Sequence, residues 1–310
     1  MIITVTLNTA VDKTYTVENF ALDRVHRPTV EKSVAGGKGI NVARVLHTLG
    51  QQVIATGLIG GYNGGLILSS LDSEGIAHDF VRMRGESRVC VAVVDPANRT
   101  QTEVNENGPE VLPEEIEALQ SRIRSLLPGA SHLVLSGSAP PGVPDDFYAR
   151  AIESAKEAGA LAVLDSIGEH FRQGVRARPY MVKPNVAELS AYVGSELYTV
   201  GEILEAARQV AGLGIPMVAV TMGRMGALAT DGHEAWQASP PEIEFVSAVG
   251  SGDALLAAFL DALARGGDLP EALRVGTAAG AANAAIYGAG FCSAESVEAL
   301  KVGVRVARLA

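Results

Sequence analysis

Short apolar runs alternate along this chain with longer stretches in which apolar positions recur every three or four residues. The short runs predict strands at residues 2–7, 53–58, 132–135, 161–164, 217–221 and 227–230. The periodic stretches predict helices at residues 39–49, 65–74, 113–127, 145–157, 200–213, 252–264 and 270–285. Strand–helix alternation of this kind predicts an α/β fold with three α/β/α layers around a mostly parallel sheet. Ligands of such sheets sit beyond the carboxyl ends of the strands.

Two stretches break the rhythm. Residues 11–34 and about 80–106 are rich in β-formers and carry no helical period. The runs starting at Asp12 and Arg88 predict strands of a separate small sheet, a lid on the rim of the main one. No linker, repeat or low-complexity run divides the chain, so one domain over 1–310 is expected. Residues 275–292 carry no formal charge, but they are largely Ala and Gly and include Thr277, Asn283 and Tyr287. That composition predicts a closely packed internal helix rather than a membrane span. The N-terminal run lacks a basic lead and reads as a first strand, not a signal peptide.

A hydrophobic share of 47% against 19% charged residues supports a large buried core. The net charge of −10, with no Lys/Arg-rich run, argues against nucleic acid as a partner. An acidic protein that binds anions must do so with local donors, which makes each basic residue beside a glycine loop informative. The two cysteines, Cys90 and Cys292, lie far apart without a pairing or zinc motif, as expected of a cytoplasmic protein. His26, His47, His78, His132, His170 and His233 show no metal spacing.

Several glycine-rich segments could carry chemistry. Gly250-Ser251-Gly252-Asp253 opens into an apolar helix, whose free amides and dipole suit an anion. Its carboxylate is placed less for holding an anion than for taking a proton; the bland alternative is a helix cap. Ala35-Gly36-Gly37-Lys38-Gly39-Ile40-Asn41 offers exposed amides, a cation and a side-chain amide, although it is not a Walker A loop. In Lys183-Pro184-Asn185-Val186-Ala187-Glu188, Asn185 and Glu188 fit either a capping box or a site for hydrated Mg²⁺. Thr221-Met222-Gly223-Arg224-Met225-Gly226 is a hairpin or a shelf for nucleotide phosphates. Ser136-Gly137-Ser138 follows a strand, and Arg88 starts a lid strand.

Together and in this order, these segments resemble the PfkB group of ribokinase-like sugar kinases, nearest the 1-phosphofructokinase and tagatose-6-phosphate kinase branch. Matching segments include Thr6-Leu7-Asn8-Thr9-Ala10-Val11-Asp12, the Gly36–Arg44 loop, Gly57-Leu58-Ile59-Gly60-Gly61, Gly85-Glu86-Ser87-Arg88 and Thr102–Pro109. The resemblance implies a ribokinase-like fold and ATP- and Mg²⁺-dependent phosphorylation of a ketohexose monophosphate. Fructose 1-phosphate is the first choice; tagatose 6-phosphate and fructose 6-phosphate are the alternatives. It makes Asp253 the catalytic base and Gly250, Ser251 and Gly252 its anion hole. Asp12, Gly37, Lys38, Asn41 and Ser138 are implied on the sugar side, with Arg88, Lys38 and Arg27 as candidates for the existing phosphate. Lys183, Asn185, Thr221, Gly223, Gly226 and Asn283 are implied on the nucleotide side, with Glu188 reaching Mg²⁺ through water. A homodimer through the lid strands is implied as well.

Thr9 departs from a common proline, and Leu164-Asp165-Ser166-Ile167-Gly168 follows the family's Asp-Thr-Ser-Gly run only loosely. A non-catalytic sugar-phosphate sensor would not need Asp253 and Glu188. A dinucleotide oxidoreductase would need G-x-G-x-x-G at the first strand–helix turn, which is missing.

Overall fold

The computed structural model describes residues 1–310. The main sheet draws on β1 (Ile2–Thr6), β4 (Val53–Gly60), β5 (Val81–Met83), β8 (His132–Ser136), β9 (Leu161–Asp165), β10 (Met181–Val182), β11 (Met217–Thr221), β12 (Ala227–Thr230), β13 (Ala235–Ser239) and β14 (Arg305–Leu309). Their order is β14-β13-β12-β11-β10-β9-β8-β1-β4-β5. Strands β11 to β5 run parallel, and β12, β13 and β14 add an antiparallel edge. A second sheet, ordered β3-β2-β6-β7, comprises β2 (Ala10–Thr16), β3 (Val30–Gly36), β6 (Arg88–Asp95) and β7 (Thr100–Asn105).

Alternation along the parallel strands separates two cores. Ile2 and Val134 face one side; Ile3, Val5, Leu133 and Leu135 face the other. The first side is covered by α1 (Lys38–Thr48), α2 (Gly61–Glu74), α8 (Ser251–Ala264), α9 (Leu269–Ala284) and α10 (Ala294–Lys301). The second is covered by α3 (Pro113–Leu126), α4 (Phe147–Glu157), α5 (Gly168–Arg176), α6 (Val186–Val193) and α7 (Val200–Ala211). Helix α8 is buried nearly all round, which is why its period is weak in the sequence. Each fully buried Leu or Phe there contributes about 1.5–3 kcal/mol of burial free energy.

Most predicted elements are present with ends shifted by a few residues, α2 by most, since it starts at Gly61 instead of residue 65. The two-residue β10 is too short to show a period, and the edge strands β13 and β14 are not marked by the sequence pattern. Two expectations need correction. Residues 81–83, expected in the lid, instead extend the main sheet, because Val81 pairs with Leu58. The internal helix expected over 275–292 ends at Ala284, and the remainder returns as a loop. No helix is long and apolar enough to cross a membrane.

Chain connectivity places the small sheet. Strand β2 follows directly from the carboxyl end of β1, and β3 leads into α1, so both sit over the carboxyl ends of the parallel strands. Asp165 and Thr221 end two of those strands, and Asn8, Gly137 and Lys183 lie just beyond three others.

Candidate active site

A cleft of about 1140 Å³ opens between the carboxyl ends of the strands and the small sheet. Helix α8 begins at its wall. Gly250 caps that helix in the left-handed region, at φ 79°, and a Cβ there would lie 2.6 Å from Ala289 Cα and Gly290 N. The backbone amides of Gly250, Gly252 and Asp253 have no protein acceptor. Three donors and the positive end of a long helix therefore face the cleft, which is the chemistry of an anion seat.

Asp253 sits on the first turn of that helix and is 5% exposed. Asn41 Nδ2, from the first turn of α1, donates to Asp253 Oδ2 at 2.9 Å. Burial pushes the Asp253 carboxyl up to about 6, against the pull of Lys38 and with a push from Asp165. A carboxylate of that basicity is suited to accept a proton near neutrality. The free enzyme's kcat/KM should accordingly be flat above about pH 7 and fall below about pH 6, since a protonated base cannot take a second proton. A pH profile of kcat/KM tests this; a flat line down to pH 5 would contradict it.

The cations flanking Asp253 are arranged differently from the expectation. Lys38 was expected near the sugar's own phosphate, but its Nζ lies 2.9 Å from Asp165 Oδ1 and 3.5 Å from Glu188 Oε1. Lys183, 3% exposed, pairs with Asp165 Oδ2 at 3.0 Å. Its Nζ is 3.6 Å from the position a Gly252 Cβ would take. Both lysines thus converge on the wholly buried Asp165, beside the helix start. Burial works against ionising Asp165, but Lys183 and Lys38 outweigh it and hold the carboxyl below the usual range. Burial likewise opposes charge on Lys38, yet Asp165, Asp253 and Glu188 keep its ammonium above the usual range. The loosely matched segment around Asp165 therefore keeps its charged residue in use.

Asn185 and Glu188 form a capping box: Glu188 N donates to Asn185 Oδ1 and Asn185 N to Glu188 Oε2, each at 2.8 Å. The cap is therefore real, and it leaves Glu188 Oε1 free of backbone amides. Mg²⁺ takes oxygen donors, keeps several waters and needs only one or two carboxylates beside phosphates. Glu188 Oε1 fits that role through water. No group of three or more His, Cys, Asp or Glu converges to chelate an ion without the nucleotide's phosphates.

At the other end of the cleft stand Asp12 and Arg88. Gly36 lets the Asp12 carboxylate lie against the backbone, since a Cβ there would fall 2.2 Å from Asp12 Cγ. Burial pushes Asp12 up to about 6, while Arg88 and Arg44 pull it down. Arg88 Nε donates to Asn8 O at 3.3 Å and Nη1 to Glu106 O at 2.9 Å. Its guanidinium is therefore fixed at the cleft wall. Thr9, the departure from proline, donates to Leu58 O at 2.8 Å and lies 3.0 Å from Ser87 Oγ, bracing this wall.

Thr221, Gly223 and Gly226 line the far side, in a β11–β12 hairpin closed by one 3₁₀ turn, and Pro240, beside Gly226, lines the cleft with Pro241, Ile243 and Phe245. Gly37 and Asn41 line the cleft as well.

Four expected residues do not line it, Glu188 among them, whose Oε1 meets the lining only through Lys38 Nζ at 3.5 Å. Arg27 is exposed on the β2–β3 connection, which points the side chain to solvent. Ser138 is partly exposed beyond the cleft, where the turn after β8 leaves Gly137, not Ser138, close to Lys38. Asn283 is fully buried, and its amide is spent on protein. It donates to Val249 O at 2.7 Å and Ser251 Oγ at 3.2 Å, and accepts from Gly290 N at 2.8 Å. It splints the Gly250 loop and has nothing left for a nucleotide. Sequence reasoning missed Lys32, Glu103 and Asn105 on the small sheet, which line the cleft. Their strands show no motif that separates the cleft face from the solvent face.

The model for "pfkB family carbohydrate kinase" matches residues 5–296. The 1-phosphofructokinase of Rhodobacter capsulatus is 39% identical over 278 residues, 89% of this chain and 88% of that one. The 1-phosphofructokinase of Borreliella burgdorferi is 33% identical over 307 residues, 99% of this chain and 98% of that one. Among solved structures, phosphofructokinase-2 from Escherichia coli in complex with substrates and products superposes with a TM-score of 0.91. It is 31% identical and covers 97% of this chain and 98% of its own.

Proposed function

The chain belongs to the pfkB family of carbohydrate kinases, and from that premise we propose that it phosphorylates fructose 1-phosphate with ATP, giving fructose 1,6-bisphosphate. One observation carries the chemistry: a buried carboxylate, Asp253, stands on the same helix turn as three unpaired amides. The sugar phosphate is the one named by the two relatives above.

In this reading the C6 hydroxyl of the sugar gives its proton to Asp253 Oδ1 as its oxygen bonds the terminal phosphorus. The bond from that phosphorus to the bridging oxygen breaks, and ADP leaves with the electron pair. Charge gathers on the transferred group's outer oxygens, where the amides of Gly250, Gly252 and Asp253 and the ammonium groups of Lys38 and Lys183 stabilise it. Asp12 accepts hydrogen bonds from sugar hydroxyls, and Arg88 binds the phosphate already present. Thr221, Gly223 and Gly226 back the nucleotide. Glu188 would hold Mg²⁺ through water, and the ion would neutralise nucleotide phosphates there. The small sheet closes over the sugar and excludes water, and its strands pair two chains into a homodimer. Two unpaired cysteines fit a cytoplasmic enzyme.

The test is ATP consumption on fructose 1-phosphate, fructose 6-phosphate, tagatose 6-phosphate and unphosphorylated fructose, together with Arg88→Met. Fructose 1-phosphate should give the highest kcat/KM. Arg88→Met should raise its KM by about 10- to 100-fold, the worth of a charge-assisted phosphate contact, with kcat little changed. A higher kcat/KM on another sugar phosphate reassigns the substrate, and an equal rate on fructose removes the role of Arg88. A monomeric mass in light scattering would count against the homodimer.

A further inference from the structure

Arg44 is a buried cation that the chemistry above does not use. It lies on α1, one helical turn after Asn41, and is 4% exposed. Its guanidinium forks onto the Glu74 carboxylate, with Nη2 3.2 Å from Glu74 Oε1 and Nε against Oε2. Nη2 also donates to Ala35 O at 2.7 Å, and Nη1 donates to Ala289 O at 2.9 Å and Asn41 Oδ1 at 3.1 Å. The Phe291 ring packs on its face at 4.5 Å. Burying a charge so fully is costly unless every donor is answered, and here all the answers are specific.

We propose that Arg44 is a positioning residue for the catalytic base, acting through Asn41. The argument rests on donor chemistry. A guanidinium has donors only, so the side of the Asn41 amide that meets Arg44 must be the oxygen. The NH₂ side is thereby turned to Asp253, where it holds Oδ2 at 2.9 Å. That leaves Oδ1 of Asp253 as the oxygen that receives the sugar's proton. Without Arg44 the amide is free to flip, and a carbonyl oxygen would then oppose the carboxylate.

The same guanidinium joins two further parts of the site. Ala35 stands at the root of β3, where the small sheet meets α1. Ala289 and Gly290 form the backbone against which Gly250 rests. Arg44 thus sets base, anion seat and sheet root in one register, and Glu74 holds it there with help from Ser70 Oγ at 2.9 Å. Lysine cannot replace it, because an ammonium has too few donors in too small a span to reach all four acceptors.

This inference rests on the kinase reading, and its test includes a measurement that needs no substrate. The ionisable groups that face Asp253 are Lys38 from α1, Lys183 after β10, Asp165 from β9, and Asp12 from the small sheet; none of them is altered by Arg44→Lys. In that variant, kcat on the best sugar phosphate should fall about 10- to 100-fold, as expected of a displaced catalytic group, with both KM values within about threefold. The carboxyl carbon of Asp253 in the ligand-free variant, followed by NMR, should titrate at a higher pH than in the wild type. An unchanged titration midpoint, or an unchanged kcat, overturns the proposal.

If Arg44→Lys does not fold, the wild-type protein supplies the readout. The Asn41 side-chain amide protons and the Arg44 guanidinium protons should both shift with the Asp253 midpoint. Resonances that ignore that midpoint overturn the proposal. A wild-type protein inactive on every sugar phosphate would instead defeat the kinase reading, while the ligand-free titrations still decide the role of Arg44.

Discussion

Asp253→Asn is expected to lower kcat by about 10²- to 10⁴-fold, the range for loss of a positioned general base, with KM for the sugar phosphate within a few fold. The substitution keeps shape and hydrogen bonding. An asparagine at 253 presents its carbonyl oxygen to Asn41 Nδ2, so the 2.9 Å contact survives. Its uncharged amide also removes the cost of keeping a carboxylate at this buried place, the cost that raises Asp253 to about 6. Thermal unfolding should therefore occur at or above the wild-type temperature, which separates a catalytic loss from a folding loss. The acid limb of kcat should disappear, since no group at position 253 then titrates; Asp12, also raised to about 6, acts on sugar binding and so on KM. Turnover within tenfold of wild type would remove Asp253 from its role.

Gly250→Ala should cost about 10²-fold in kcat, comparable to the loss of one oxyanion donor, and lower the unfolding temperature as well. Two independent facts require glycine here. The backbone is left-handed at φ 79°, which costs a Cβ-bearing residue about 1–2 kcal/mol. The added Cβ would also meet backbone atoms of Ala289 and Gly290 at 2.6 Å, which have no flexible end to move aside. Either the Gly250 amide, part of the anion seat, or the 289–290 loop that supports it must shift. Gly252→Ala is the informative comparison. Its position is helical, and its Cβ would meet only Lys183 Nζ, at an ordinary 3.6 Å. That variant should fold as well as wild type and lose less activity. Equal losses in kinetics and in thermal unfolding for the two would show that backbone space is not what Gly250 supplies.

Much of the site was legible because local rules mark it. A helix start after glycine, an Asn and Glu three apart, and a hairpin between two glycines can each be read from neighbouring residues. The Asn185–Glu188 box shows how the modest reading and the functional one can both hold. Its cap consumes one carboxylate oxygen and leaves the other 3.5 Å from Lys38, which lines the cleft. Lys38 and Asn283 show the limit. Lys38 lines the cleft but pairs with Asp165, more than a hundred residues away, and Asn283, assigned to the nucleotide, is spent on a loop predicted as helix.

The sequence by itself therefore determined the α/β order, the separate β-rich segments, the family and the residues lining most of the cleft. These follow from periodicity, turn chemistry and the order of short motifs, all of which act over a few residues. Only the tertiary structure decided which donor meets which acceptor: both lysines on Asp165, Asn41 between Arg44 and Asp253, and Asn283 beneath the Gly250 loop. The physical reason is that buried polar groups must each find a partner. That pairing is settled by close packing of segments distant in the chain, and no local pattern records it.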